Sequence, residues 1–279
     1  SLCIRDERGY VKEDHPGVFI YDVRPVEDFL PPPDSIEAQA IAAGECHSLA
    51  LLNNGTVMGW GRNDQGQATP PEGLQGVLAI TAGDYHSLAL LNNGTVFGWG
   101  NNDHGQITPP EGLGGVIAIA AGESHSLALL SNGTVVGWGK NTFGQAQPPE
   151  NLQGVVALAA GESHSLALLS NGTVVGWGSN SEGQAQLPAD LQGVIAIAGG
   201  GYHSLALLNN GTVFGWGNND YGQTIPPPIP NATAIGAGKF FSVALQQDGN
   251  FTSWGYDITK KGPLQDMPGL TPFGSDAKS

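Results

Sequence analysis

Short apolar runs of five or six residues, each closed by glycine, asparagine or proline, follow one another from about residue 38 to 256. Runs of this length, rich in Val, Ile, Leu and Ala and bounded by turn residues, predict strands rather than helices. Between Gly76 and Leu113 they cover residues 77–82, 87–91 and 95–100, and Asn93-Gly94 separates the last two. Asn-Gly between apolar runs is the strongest local hairpin signal, because both turn residues must tolerate positive φ. Residues 101–106 form a loop leading to a fourth short strand that ends at Pro109-Pro110. The succession returns every 39 residues, in register with His47, His86, His125, His164 and His203 and with Trp60, Trp99, Trp138, Trp177 and Trp216. A sixth copy runs one residue short, with Phe241 in the histidine position and Trp254 in register.

A unit this small cannot bury its own apolar face, so copies must stack, and four short strands per copy predict a propeller blade. Kelch repeats, at about 50 residues, are too long, and WD40 repeats need a Trp-Asp ending that is missing here. With 43 glycines and 19 prolines in 279 residues, hardly any stretch could hold a helix, so the fold class is all-β. An unbroken repeat over residues 38–256, flanked by residues 1–37 and 257–279, argues for one closed domain over 1–279.

The pattern Gly-x-x-His-Ser-Leu-Ala-Leu, then Asn-Gly-Thr-Val, then Gly-Trp-Gly-x-Asn-x-x-Gly-Gln resembles the repeat of the regulator-of-chromosome-condensation (RCC1) family. The compact spacing is most similar to its bacterial members of the β-lactamase inhibitor protein II type. The resemblance implies a seven-bladed β-propeller. Only six good copies are visible, so the ends are expected to supply the seventh. Residues 1–4 align with 87–90, residues 18–21 with 213–216, and residues 30–32 with 225–227, leaving an enlarged hairpin loop from about Arg5 to Gly17. The innermost strand of this shared blade is expected near Leu270 to Phe273, which would remove exposed edges.

Charge then narrows the function. Ten Lys and Arg against 25 Asp and Glu give a net charge of -15, which repels phosphate backbones and excludes ordinary nucleic-acid binding. No apolar run reaches the about 18 residues of a membrane helix, so no membrane insertion is expected. The chain opens at Ser1 with no visible secretory leader, as a trimmed or processed product would.

Five equivalent histidines invite a metal reading, but copies on packed neighbouring sheets should stand about 10 Å apart, too far for a shared ion. Each histidine is instead expected to hydrogen-bond locally and fix its turn. Ser follows His in each of these copies, yet strand alternation turns adjacent residues to opposite faces, so they are no nucleophile and base. Glu45, Asp84, Glu123 and Glu162 repeat before the histidines, in environments too alike to separate an acid from a base. His15 and His104 stand alone in predicted loops. No phosphate loop, zinc spacing or cofactor signature is present, so no enzyme, no metal and no cofactor are expected.

Differences among the copies carry more. Strands barely change, whereas the loops before each histidine and after each tryptophan do, and both connections of an up-and-down blade emerge on one face. That face gathers Asp84, Tyr85, His104, Phe143, Tyr202, Tyr221 and Phe240, aromatic anchors among polar groups of the kind protein interfaces favour. The expected function is a non-enzymatic protein-binding module, extracellular or at the cell surface. The alternatives are a structural unit of a glycosylated surface assembly or fibre, with self-assembly, and a guanine-nucleotide-exchange-factor-like or β-lactamase-inhibitor-like propeller. Asn54, Asn93, Asn132, Asn171, Asn210, Asn231 and Asn250 each begin Asn-x-Thr, a glycosylation acceptor, mostly on the opposite face. Asn-Gly turns alone also account for most of these asparagines. The two cysteines, Cys3 and Cys46, either close a disulfide between the shared blade and its neighbour or remain buried thiols.

Overall fold

The computed structural model describes residues 37–256 continuously, with four short strands before them: Ile4–Arg5, Val11–His15, Val18–Asp22 and Phe29–Leu30. Each repeat folds into an antiparallel meander of inner, middle and outer strands. In the second repeat these are Val77–Ala82, His86–Leu91 and Val96–Gly100. The other repeats match it, from Ala38–Ala43, His47–Leu52 and Val57–Arg62 in the first to Ala232–Ala237, Phe241–Gln246 and Phe251–Gly255 in the sixth. Among the described residues there is no helix.

The Ser-Leu-Ala-Leu run of each middle strand explains how the sheets stack. Alternation sends Leu88 and Leu90 toward the third sheet, where they meet Val116, Ala128 and Trp138. Ala89 points the other way and makes room for Leu49 and Leu51 of the first sheet, beside Val77 and Trp99. Large side chains forward and small ones backward give the interfaces between consecutive repeats the same interdigitation. Full burial of each leucine contributes about 1.5–3 kcal/mol, and the core therefore lies between sheets rather than within them.

A polar relay crosses the same interfaces. The Gln67 carbonyl accepts both the Trp99 Nε1–H at 2.9 Å and the Ser87 hydroxyl at 2.8 Å, and His47 Nε2 lies 2.8 Å from that hydroxyl. Ser87 spends its only proton on the carbonyl, so His47 must donate from Nε2 and leave Nδ1 bare. The arrangement recurs through His86 to Ser126, His125 to Ser165, His164 to Ser204 and His203 to Ser242, at 2.8–3.0 Å. Each Nδ1 is buried without a hydrogen-bond partner. Burial lowers these histidines from 6.5 to about 3 or 4, so all five are neutral near pH 7. The glycine three residues before each histidine is a steric necessity: a Cβ on Gly83 would lie 2.2 Å from the Gly122 carbonyl oxygen of the next sheet.

Six repeat sheets surround a common axis. Lys239 of the sixth lies 3.0 Å from Glu45 of the first, and the inner strands of all six line one axial cavity. The seam between the sixth and first sheets differs from the other interfaces. Ile41 is 77% exposed there, whereas its counterpart Ile80 is packed into the second sheet's core, and Phe251 across the seam is 67% exposed.

Several expectations need correction. The fourth strand of each repeat does not form among the described copies. Asn102 Oδ1 accepts the Ile107 N–H and Gly105 the Thr108 N–H, curling that segment into turns, and Pro109 and Pro110 have no N–H to pair. The enlarged loop after Arg5 contains the strand Val11–His15, which pairs with both Ile4–Arg5 and Val18–Asp22. Leu30 pairs not with that sheet but with Gly61 of the first repeat, giving the first sheet a fourth strand. The histidines bond across to the next sheet rather than within their own turn, because the one hydroxyl they face belongs to the following repeat. The strand expected near Leu270 to Phe273 lies outside the described residues.

Candidate functional site

The two variable loops of each repeat share one end of the propeller, tied together by backbone. Arg62 N–H donates to the Cys46 carbonyl, Asn101 to Tyr85, Lys140 to Ser124 and Asn218 to Tyr202, all at 2.8–2.9 Å. Glycine turns hold the outer loops. In Asn101 to Gln106, for example, the buried Gln106 side chain accepts the His104 N–H and donates to Asn101. With the backbone fixed, side chains at positions such as 104 and 143 change without disturbing the core.

The structure brings some of the expected contact residues together and ties others down. Tyr221 packs edge-on against Phe240 at 5.6 Å and Tyr256 at 5.0 Å, an aromatic group spanning the fifth and sixth repeats. Tyr85 lies under the Arg62 guanidinium at 4.5 Å, and Arg62 is itself paired with Asp64 at 2.8 Å. The Tyr202 hydroxyl donates to Glu162 at 2.6 Å; burial and that carboxylate push it up to about 12. Phe143 is 57% exposed and His104 is exposed, and among the described residues neither is packed on another aromatic. Tyr85, Tyr202, Tyr221 and Phe240 are thus half-buried and oriented, a correction to their expected exposure. The physical reason is that each leans on the loop of a neighbouring sheet. Asp84 departs furthest, since it lines the axial cavity rather than the rim.

Glu45, Asp84, Glu123 and Glu162 surround the mouth of that cavity, and Lys239 takes the equivalent place in the sixth repeat. Lys239 Nζ lies 3.0 Å from Glu45 Oε1 and 3.7 Å from Glu162 Oε2; Lys140 Nζ lies 3.2 Å from Glu123 Oε2. Burial alone would lower Lys239, but Glu45, Glu162 and Asp84 outweigh it and raise the ammonium above the ordinary lysine range. Asp84 is pushed well up by burial and by Glu45, with Lys239 opposing. Residue reasoning noted the repeated acids yet missed Lys239, Arg62 and Tyr256. The usable signal was positional: 39-residue periodicity puts Glu45 and its counterparts on one circle, and the shortened sixth copy places Lys239 there too.

The His–Ser pairs do not form a catalytic couple. Each serine is fully buried and donates away from the histidine, and each histidine is neutral and a donor, the reverse of a general base. Among the described residues no three His, Cys, Asp or Glu side chains gather closely enough to hold a metal ion. No described helix is long and apolar enough to cross a membrane. Cys46 is disulfide-bonded, while Cys3, the chain's other cysteine, lies outside the described residues. At the opposite end, Asn54, Asn93, Asn132, Asn171 and Asn210 are exposed and each uses Oδ1 to accept the N–H of its threonine at 3.0 Å. Asn231 and Asn250 are exposed as well.

Tandem antiparallel sheets around an axis, joined by one repeated interface and bearing variable loops at one end, define a repeat-built β-propeller. The pattern of the RCC1-like domain matches residues 20–266, and the chain belongs to that family. Similar solved structures include Prp20p from Saccharomyces cerevisiae, studied with its binding to Gsp1p and histones, at 24% identity and a TM-score of 0.66, covering 77% of this chain and 71% of that one. The ectodomain of the receptor kinase ACR4 from Arabidopsis thaliana shares 21% identity with a TM-score of 0.66 over 80% of this chain and 82% of that one. Human WBSCR16 shares 23% identity with a TM-score of 0.66 over 81% and 78%. Among curated proteins no sequence matches. At these identities the likeness concerns the fold, on which unrelated functions are carried.

Proposed function

We propose that this protein is a non-enzymatic binding module whose loop-bearing end recognises another protein, displayed outside the cell on a seven-bladed ring closed by its own two ends. The observation that carries the reading is the contrast between ends and interfaces. Interfaces repeat one arrangement, while the loop end alone varies and holds oriented aromatics: Tyr85 on Arg62, Tyr202 on Glu162, and Tyr221 with Phe240 and Tyr256. Aromatics whose orientation is already fixed lose little freedom on docking, which favours them as anchors. Solved structures of the same fold include a protein studied for its binding to Gsp1p and histones and a receptor-kinase ectodomain, both consistent with a recognition surface on this scaffold.

Ring closure by the ends is supported by the seam. Among the described residues nothing accepts the Nε1–H of Trp60, although its counterparts Trp99 and Trp138 each find a carbonyl on the preceding sheet. The exposed Ile41 and Phe251 offer the apolar flanks a seventh sheet would cover. An oxidising, extracellular setting is supported by the disulfide at Cys46, since such bonds are rare in the cytosol. Five exposed Asn-Gly-Thr turns at the far end suit a sugar-coated surface, which also favours the second reading, a unit of a glycosylated assembly. Intact mass before and after glycosidase treatment tests that coating, and an unchanged mass for the secreted protein removes it.

The recognition reading is tested by capture of binding proteins with the native chain, with a Phe143→Ala, Tyr202→Ala, Tyr221→Ala variant, and with an Ile117→Ser, Ile195→Ser control altered on the inner strands away from those loops. Loss of capture by the first variant alone is expected. Equal recovery by all three contradicts the assignment of the loop end.

A further inference from the structure

The axial mouth has charge that its own cation does not neutralise. Four carboxylates, Glu45, Asp84, Glu123 and Glu162, meet there, and Lys140 occupies Glu123 from outside. Lys239 engages one oxygen of Glu45, and Glu162 Oε2 only at 3.7 Å. Glu45 Oε2 and Glu162 Oε2 are sealed from solvent yet have no hydrogen-bond partner. Asp84 lines the cavity as a half-buried residue, and among the described residues it has neither a hydrogen bond nor an ion pair. Leaving buried polar atoms unpaired costs about 1–3 kcal/mol each, more for charged groups. A protein that retains several around one opening holds them in place for a group supplied from elsewhere.

The chemistry of that group follows from the walls and from Lys239. The cavity, about 840 Å³ and open on one side, is lined around the axis by small apolar residues of the inner strands, such as Ala82 and Ala121, and toward the seam, the side the proposed seventh sheet would take, by Ile41, Val243 and Phe251. This volume exceeds a lone ion and accommodates a chain of several methylenes. The carboxylates are too dispersed for a metal ion. An ammonium, with three donors in different directions, can bridge dispersed carboxylates, and Lys239 already does so between Glu45 and Glu162. The chain's net charge of -15 draws such cations toward the opening.

We propose that the axial mouth is a binding site for an aliphatic ammonium group, held by Asp84 beside the carboxylates that Lys239 already bridges, with its hydrocarbon stem along the alanine-lined wall. The same chemistry is offered by a free diamine or by a lysine side chain of a protein docked on the loop end. The second source rests on the recognition reading above; the site itself does not.

Calorimetric titration of the full chain with 1,5-diaminopentane, against 1,5-pentanediol as its uncharged twin, tests the site. A lysine-bearing tripeptide amide and its norleucine analogue form the side-chain arm. An ammonium probe is expected to bind at least tenfold tighter than its uncharged partner. Asp84→Asn should weaken it at least fivefold, and Lys239→Met, which removes the resident competitor, should strengthen it. A melting curve for each variant confirms folding. Asp103→Asn, an exposed acid on the same end, should change nothing. Diamine binding no tighter than diol, with the peptide pair also equal, overturns the site; so does equal weakening by Asp84→Asn and Asp103→Asn, which reduces it to diffuse surface charge. Tighter binding of the peptide supports a protein-borne lysine, and tighter binding of the diamine a free amine. Because the capture test turns on aromatics outside the cavity, either reading can fail while the other stands.

Discussion

The five interfaces between consecutive repeats and the seam between the sixth and first sheets are built from the same sequence pattern but end differently. At the interface between the third and fourth sheets, His125 bonds Ser165, Trp177 bonds the Gln145 carbonyl, and Leu127 and Leu129 are buried against Val155 and Trp177. At the seam, Phe241 replaces the histidine, Trp60 is only half-buried, and Ile41 and Phe251 are exposed. The pattern is therefore a contract between neighbours. Serine and tryptophan are satisfied only when the preceding sheet supplies its half, and the glutamine carbonyl and histidine only when the following one does. Where no further copy of the pattern follows among the described residues, Phe241 replaces a polar ring that needs a hydroxyl with an apolar one that does not.

Acid breaks this comparison most strongly. The five histidines have folded values lowered to about 3 or 4 against 6.5 unfolded, so their contribution is complete above pH 6.5 and is lost as pH falls toward 4. Each costs about 1.4 kcal/mol per pH unit through that window. Urea midpoints measured from pH 7.5 to 4.5 should fall steeply below 6.5. Removing one buried tryptophan comes next: Trp138→Ala should cost about 3–5 kcal/mol, and Trp60→Ala at the seam distinctly less, by thermal or urea melts. Equal losses would show the seam as tightly packed as the interior. Smaller again, His125→Phe should cost about 1–2 kcal/mol because Ser165 loses its donor, whereas Phe241→His places a polar ring where no described hydroxyl awaits it and should not stabilise. Least of all, Phe143→Ala should alter stability by less than about 0.5 kcal/mol while reducing partner capture.

Strand positions, Asn-Gly hairpins and the inter-sheet role of tryptophan were legible in the sequence because each follows from a local pattern or from side-chain size. The relay was not. His86 sits beside Ser87 in the chain, but its partner is Ser126, 40 residues on, and only the stagger of one sheet against the next reveals it. The fourth strand was misread because Pro109-Pro110 closes the turn made by Asn102 as readily as it would end a strand. At the loop end, the exposure of Phe143 was readable, whereas the tethering of Tyr202 by Glu162 depends on repeats four and five meeting. The convergence of Glu45, Asp84, Glu162 and Lys239 likewise needed the circle itself.

The account rests on a neutral histidine donating from Nε2 at every interface between repeats. Nitrogen-15 NMR of the histidine side chains, followed from pH 8 to 4.5, observes that state directly. Five resonance sets of the Nε2–H form that do not titrate before unfolding are predicted. Imidazoles at these positions that titrate reversibly near 6.5 in the folded protein, or that carry the proton on Nδ1, would contradict it.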